Sequence, residues 1–111
     1  MKLTSGTRDG VTVITVDEPR IDAAVAIRFK DEMRALTDGA AGPVILDLGQ
    51  VDFIDSSGLG AIVAALKLMP EGRALELAAL TPNVDRVFRL TRMDSVFRIH
   101  EATGADAGRG D

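Results

Sequence analysis

Cysteine is absent from all 111 residues, tryptophan and tyrosine are absent too, and four phenylalanines are the only aromatic rings. Without cysteine there can be no disulfide, no thiolate metal site and no cysteine nucleophile, which fits a reducing compartment. Few rings and a formal net charge of -4 leave neither the stacking surface nor the positive field that nucleic-acid binding requires. The longest apolar run is too short and too rich in alanine to cross a bilayer. Met1-Lys2-Leu3 leads into polar residues, without the apolar stretch of an export signal. These absences predict a cytoplasmic chain that neither inserts into a membrane nor binds nucleic acid directly, and whose partners are proteins.

What is present suits a globular domain. Hydrophobic residues make up 46% and charged residues 27%, in the range of folded proteins. A chain of this length forms one domain that buries about two-thirds of its unfolded surface. Residues 2–7 and 11–17 are β-branched and roughly alternating, and Asp9-Gly10 between them is a strong hairpin signal. Val25, Phe29, Met33 and Leu36 recur every three or four positions, predicting an amphipathic helix with Asp22 placed to cap it and Gly39 to end it. Val44-Ile45-Leu46-Asp47-Leu48, after Gly42-Pro43, reads as a central strand covered on both faces. A second helix is expected over residues 57–69, stopped by Pro70 and Gly72, then a strand over 74–78. Thr81-Pro82 reads as an N-cap followed by proline at the first position of a third helix, with Val84, Val87, Phe88 and Thr91 facing inward. Residues 96–100 supply the last strand. Residues 101–111 are Gly, Ala and Asp with almost nothing to bury and are expected to be a disordered tail, so the domain is residues 1–100.

This order of elements predicts an α/β fold: a single mixed, mostly parallel sheet with an N-terminal hairpin and helices packed on it. Function in such sheets gathers at the carboxyl ends of the strands. The loop after Leu48 is one of those ends, and it leads to Asp55-Ser56-Ser57-Gly58-Leu59-Gly60. A helix start carries four unsatisfied N–H groups and about half a positive charge, so Asp55, Ser56 or Ser57 can cap it and a phosphate there is held. Two glycines in the first turn each cost roughly 0.8–1 kcal/mol relative to alanine. Their expected use is to let a partner's backbone approach the serine hydroxyl. The following segment holds Leu59, Ile62, Val63, Leu66, Leu68 and Met69 but one charge, Lys67, where a helix lying on a sheet shows a polar face. Either other helices cover it or it is a docking surface one turn from Ser56.

Other chemistries find little support. A nucleophilic serine needs a base, and the single histidine, His100, stands at the end of the last predicted strand. Gly58-Leu59-Gly60 lacks the further glycine of a dinucleotide fingerprint, and no Gly-Lys-Ser/Thr of a P-loop occurs. Asp47, Asp52 and Asp55 cluster near one strand end, but capping and turn roles account for them better than a metal. No cofactor is expected. Arg86, Arg89 and Arg92 recur every three residues, with Arg98 beyond. They form either a solvated helix face that complements the dipole or a patch for an acidic partner.

The run from Val44 through Val51-Asp52-Phe53-Ile54-Asp55-Ser56-Ser57-Gly58-Leu59-Gly60 resembles the signature of the STAS domain family, found in sulfate transporters and anti-sigma-factor antagonists. Weaker similarity extends from the hairpin through Thr81-Pro82-Asn83-Val84 and Val87-Phe88-Arg89-Leu90 to Phe97-Arg98-Ile99. Among its members the chain is most similar to free-standing antagonists of bacterial partner switching. The resemblance implies that Ser56, directly after the motif's aspartate, is phosphorylated by an anti-sigma factor that is itself a serine kinase, and that a separate phosphatase removes the group. The unphosphorylated form then binds the anti-sigma factor and frees the sigma factor. The partner surface so implied takes in Asp22, Asp55, Ser57, Gly58, Leu59, Gly60, Ile62 and Val63. Asp22 matches the aspartate of the family's Gly-x-Leu-Asp segment, although Pro19 stands at the usual glycine and the family's final helix is nearly lacking. The alternative the family offers is an accessory subunit of a membrane transporter driven by an ATPase.

Overall fold

In the computed structural model, residues 1–39, 42–69 and 73–101 are described. The chain runs through β1 (Leu3–Arg8), β2 (Val11–Val16), β3 (Arg20–Ile21), α1 (Ala26–Thr37), β4 (Val44–Asp47), β5 (Phe53–Ile54) and α2 (Ser56–Lys67). It continues through β6 (Leu75–Ala78), α3 (Pro82–Leu90), a 3₁₀ turn (Met93–Ser95) and β7 (Ile99–His100). The expected stops Pro70 and Gly72, and the expected tail beyond Glu101, lie outside the described residues.

β1 and β2 form the predicted hairpin, with Leu3 opposite Val16 and Arg8 opposite Val11. Asp9 and Gly10 both take positive φ, 52° and 80°, the two-residue turn whose twist matches that of the strands it joins. β2, β4, β6 and β7 are parallel, and the sheet order is β1-β2-β4-β6-β7. β4 is therefore central, as its apolar run suggests. β3 and β5 form a separate two-stranded parallel sheet.

Strand alternation divides the large sheet into two unlike faces. Ile14, Val16, Val44, Leu46, Leu75 and Leu77 enter one core with Phe29 and Met33 of α1, Ile62 and Ala65 of α2, and Val84 and Phe88 of α3. Phe88 meets Phe97 edge to face, with ring centroids 6.0 Å apart. Residues of opposite parity, among them Val13, Thr15, Asp47 and Glu76, face the other way and stay outside that core. β4 is nevertheless buried on both faces, as its apolar run suggests, since Ile45 is buried along with Val44 and Leu46, although all three helices share one side of the sheet. A hollow of about 370 Å³ on the open side is lined by Thr4, Gly6, Arg8, Val13, Thr15 and Asp47 among others. It shares no residue with the serine motif.

Several local expectations shift for identifiable reasons. α1 starts at Ala26, not beside Asp22, because residues 22–25 form a turn in which Ala24 N–H donates to Asp22 Oδ1 and Val25 N–H to its carbonyl, both at 3.1 Å. Gly39, at φ 78°, follows the end of that helix as expected. Thr81 stands at the N-cap of α3, with Pro82 at the first helical position, but its hydroxyl donates to the Val51 carbonyl at 2.6 Å. The threonine therefore pins α3 to the segment that leads into β5. Thr91 is exposed, its hydroxyl turned back to the Val87 carbonyl at 2.7 Å. The last strand is only two residues long, because Arg92 in the left-handed region (φ 61°) and the 3₁₀ turn use up the residues before it.

Candidate functional site

The site starts from the small β3–β5 sheet, in which Arg20 pairs with Phe53 and Ile21 with Ile54. Ile21 and Ile54 are buried and anchor it to the core. Pro19 lacks an N–H, but the pairing uses only its carbonyl, which accepts from Asp52 N–H at 2.8 Å and Phe53 N–H at 3.3 Å. Proline at this position is thus compatible with the strand it precedes. The Ile21 carbonyl in turn accepts from Asp55 N–H at 3.4 Å, which carries the pairing up to the start of α2.

Asp55 is the N-cap of α2. Its Oδ1 accepts from Gly58 N–H at 2.8 Å and its Oδ2 from Ala23 N–H at 3.1 Å. One carboxylate therefore satisfies a donor of α2 and also holds the turn that precedes α1. The Gly58 N–H above all holds the Asp55 carboxyl below its usual pKa. Partial desolvation opposes this, while the amides of Ala23 and Ser57 assist. A depressed folded-state pKa stabilises the fold at pH values above the unfolded value, and that contribution is lost as pH falls through the folded one. Wild-type protein should therefore lose melting temperature as pH is lowered through and below the ordinary carboxylate range. Asp55→Asn should show a shallower fall in melting scans taken over those pH values, and equal slopes would remove this role.

With Asp55 as cap, Ser56 and Ser57 become the first two residues of α2, so the helix begins one residue earlier than expected. Both are exposed, and neither hydroxyl has a hydrogen-bond partner among the described residues. The two glycines differ from each other. A Cβ on Gly58 would lie 2.7 Å from the Ile21 carbonyl carbon and 3.0 Å from Ile54 Cγ1, with the Ile21 oxygen closer still. A Cβ on Gly60 would meet nothing within 4 Å. Gly58 is therefore needed by the protein's own backbone and not by a partner's, and the expected reason for it is corrected.

The expected partner surface also divides. Gly58 and Ile62 are buried, Leu59 and Val63 are half-buried, and Gly60 is exposed. Leu59 and Val63 are packed against the core. Helices α1 and α2 are in contact, which accounts for much of the apolar side of α2. The bond from Ala23 N–H to Asp55 ties the start of α2 to the turn before α1, where Ala23 and Ala24 are exposed, and Ile27 in the first turn of α1 is 70% exposed. On the β3–β5 side Phe53 is 47% exposed, with the Arg20 guanidinium carbon 5.3 Å from its ring centroid. Sequence reasoning missed Arg20, Ile27 and Phe53. Two-residue strands carry no readable period, so nothing in the sequence brings Arg20 beside Phe53.

The remaining candidates are used elsewhere. Asp47 Oδ1 accepts from Gly49 N–H at 2.8 Å. His100 Nε2 bonds Glu76 Oε1 at 2.6 Å across β6 and β7, so among the described residues it offers no base to either serine. Arg89 is engaged by Asp85 at 2.9 Å and Asp94 at 3.5 Å, which raises its already high pKa chiefly through the Asp85 hydrogen bond. The arginine row is therefore partly neutralised.

The sequence pattern of the STAS domain matches residues 3–105. The chain belongs to the STAS domain family. Within it, the chain is 31% identical over 108 residues to BtrV of Bordetella bronchiseptica, which is named an anti-sigma factor antagonist. The aligned part covers 96% of this chain and 92% of BtrV. The anti-sigma-factor antagonist STAS domain protein of Planctomyces limnophilus superposes with a TM-score of 0.83 at 24% identity, covering 95% of this chain and 93% of that one. The phosphorylated form of the Bacillus cell fate determinant SpoIIAA superposes with a TM-score of 0.65 at 19% identity, covering 96% of each chain. At those identities the two structures establish the shared fold alone. This STAS domain thus groups with anti-sigma factor antagonists, regulatory proteins that act by binding. No helix among its described residues is long and apolar enough to cross a membrane.

Proposed function

We propose that this STAS domain is a phosphorylation-controlled, cytoplasmic anti-sigma-factor antagonist and not an enzyme. Its unphosphorylated form binds an anti-sigma factor that is also a serine kinase, and so releases the sigma factor. The kinase phosphorylates Ser56, binding is lost, and a separate serine phosphatase restores it. The observation that carries this reading is the position of Ser56. It is exposed at the first residue of a helix whose capping Asp55 already performs, and its hydroxyl is free among the described residues. An exposed hydroxyl with no structural duty is available to a kinase. The turn that Asp55 holds through Ala23 N–H, and the first turn of α1 after it, expose Ala23, Ala24 and Ile27, apolar surface suited to closing against a partner.

Phosphate adds about -1.5 to -2 charges and must be desolvated if that surface is to close over it. The neighbouring Asp55 carboxylate, held ionised by its amide donors, adds like-charge repulsion. Asp22, Asp55, Ser57, Leu59, Gly60 and Val63 are assigned to or beside the contact. Gly58 and Ile62, both buried, support it from beneath.

Incubation with the cognate anti-sigma factor kinase and ATP tests the assignment by intact-protein mass. The wild type should gain one phosphoryl group, Ser57→Ala should do the same, and Ser56→Ala should gain none. Phosphorylation persisting in Ser56→Ala would move the site.

A further inference from the structure

Arg20 and Phe53, whose backbones pair in the β3–β5 sheet, also set their side chains together on the exposed surface near the serine site. Phe53 lies on β5, three residues before Ser56, with 47% of its surface exposed although its neighbour Ile54 is buried. Arg20 lies opposite it on β3 and sets its guanidinium over the ring, 5.3 Å from the centroid. Across residues 17–24 and 50–57, Arg20 is the only cation beside Asp17, Glu18, Asp22, Asp52 and Asp55. The described residues nevertheless place no carboxylate within ion-pair distance of it. Glu18 instead accepts from Lys2 N–H at 2.9 Å, Asp17 from Gln50 Nε2 at 3.1 Å, and Asp55 from two backbone amides.

A guanidinium stacked on an aromatic ring keeps its N–H edge available, and five donors in a fixed fork match a carboxylate. Stacking also restricts the side chain before binding, so less conformational freedom is lost when a partner engages it. Arginine and large aromatic side chains are the types that dominate binding energy when they are covered. A stacked cation in a mainly acidic rim suits register and partner choice more than bulk attraction. A partner whose opposing charge is basic meets repulsion at that one point, and a partner with an acid there gains an ion pair.

We infer that Arg20, held on Phe53, is a specificity-determining contact that requires an acidic side chain, flanked by apolar surface, on the anti-sigma factor that docks over Ser56. This rests on the antagonist function proposed above.

Binding of the cognate anti-sigma factor kinase to wild type, Arg20→Glu, Arg20→Lys, Phe53→Ala and Ser56→Asp is measured by calorimetry, alongside the melting temperature of each. Arg20→Glu should weaken binding by about 30- to 100-fold at an unchanged melting temperature, and Arg20→Lys by less, since lysine keeps the charge without the fork. Phe53→Ala should weaken it about tenfold. Changing one acidic residue of the kinase to arginine should restore Arg20→Glu selectively. If Ser56→Asp abolishes binding while Arg20→Glu stays within twofold of wild type, the contact is refuted and the antagonist reading stands. If the kinase does not bind the wild type, both fall.

Discussion

Gly58→Ala is expected to destabilise the domain by about 2–3 kcal/mol, lowering the melting temperature by roughly 10–20 °C. Helix propensity alone points the other way, because alanine replaces glycine inside α2 and should gain up to about 1 kcal/mol. Sterics decide the sign. The new methyl would stand 2.7 Å from the Ile21 carbonyl carbon and 3.0 Å from Ile54 Cγ1. The first of these is backbone in a paired strand that cannot turn aside. Nor can α2 withdraw freely, since the Ile21 carbonyl accepts from Asp55 N–H and the Asp55 carboxylate spans Ala23 and Gly58. Relief of the clash therefore strains the β3–β5 pairing, the Asp55 cap or both. Gly60→Ala provides the internal comparison, because its Cβ meets nothing within 4 Å and only the propensity gain remains. Urea melts of the two variants should move to opposite sides of wild type. A Gly58→Ala midpoint equal to wild type would show that the close approach is not enforced.

That contrast also marks how much of the fold the sequence disclosed. Elements long enough to show a period were readable: the hairpin at Asp9-Gly10, the central strand at Val44, and the three helices with their order. Gly58 and Gly60 carry identical signals in sequence. What separates them is the Ile21 carbonyl, which reaches Gly58 through a two-residue strand pair spanning more than thirty positions of chain, and no local pattern encodes that pairing. Arg20 and Phe53 were missed for the same reason. Asp55 was readable as a cap, but not as a carboxylate whose second oxygen holds the turn before α1. Asp22 shows the converse error. Its residue type and position suit a helix cap, yet its side chain closes a turn that ends before α1 begins. β4 is buried on both faces as its apolar run suggests, but such a run looks alike whatever excludes the water, so the gathering of all three helices on one side was not readable from it. The serine motif itself was visible, and what the structure adds is the division of labour within it: Asp55 caps, Gly58 makes room, and Ser56 and Ser57 are left to the solvent.

Ser56→Asp should lower affinity for the anti-sigma factor by about 100-fold or more, near 2.7 kcal/mol, with stability unchanged or slightly raised. The two effects separate because they arise in different states. In the free protein an added carboxylate at the first position of α2 meets the positive end of the helix, an interaction worth about 0.3–1 kcal/mol in its favour. In the complex the same charge must lose water against an apolar partner surface and lie next to the ionised Asp55. Aspartate carries less charge than phosphate and has fewer acceptor oxygens, so true phosphorylation should exceed the mimic. Salt distinguishes the two costs. Repulsion between exposed charges is screened as ionic strength rises, whereas desolvation of a covered charge is not. Calorimetry at low and high salt should therefore recover only a small part of the lost affinity. Ser57→Asp, one residue further into α2, places its charge about 100° around the helix, and its loss should be smaller. Equal losses at the two serines would mean that the partner responds to the helix start as a whole and would withdraw the assignment of Ser56 as the switch.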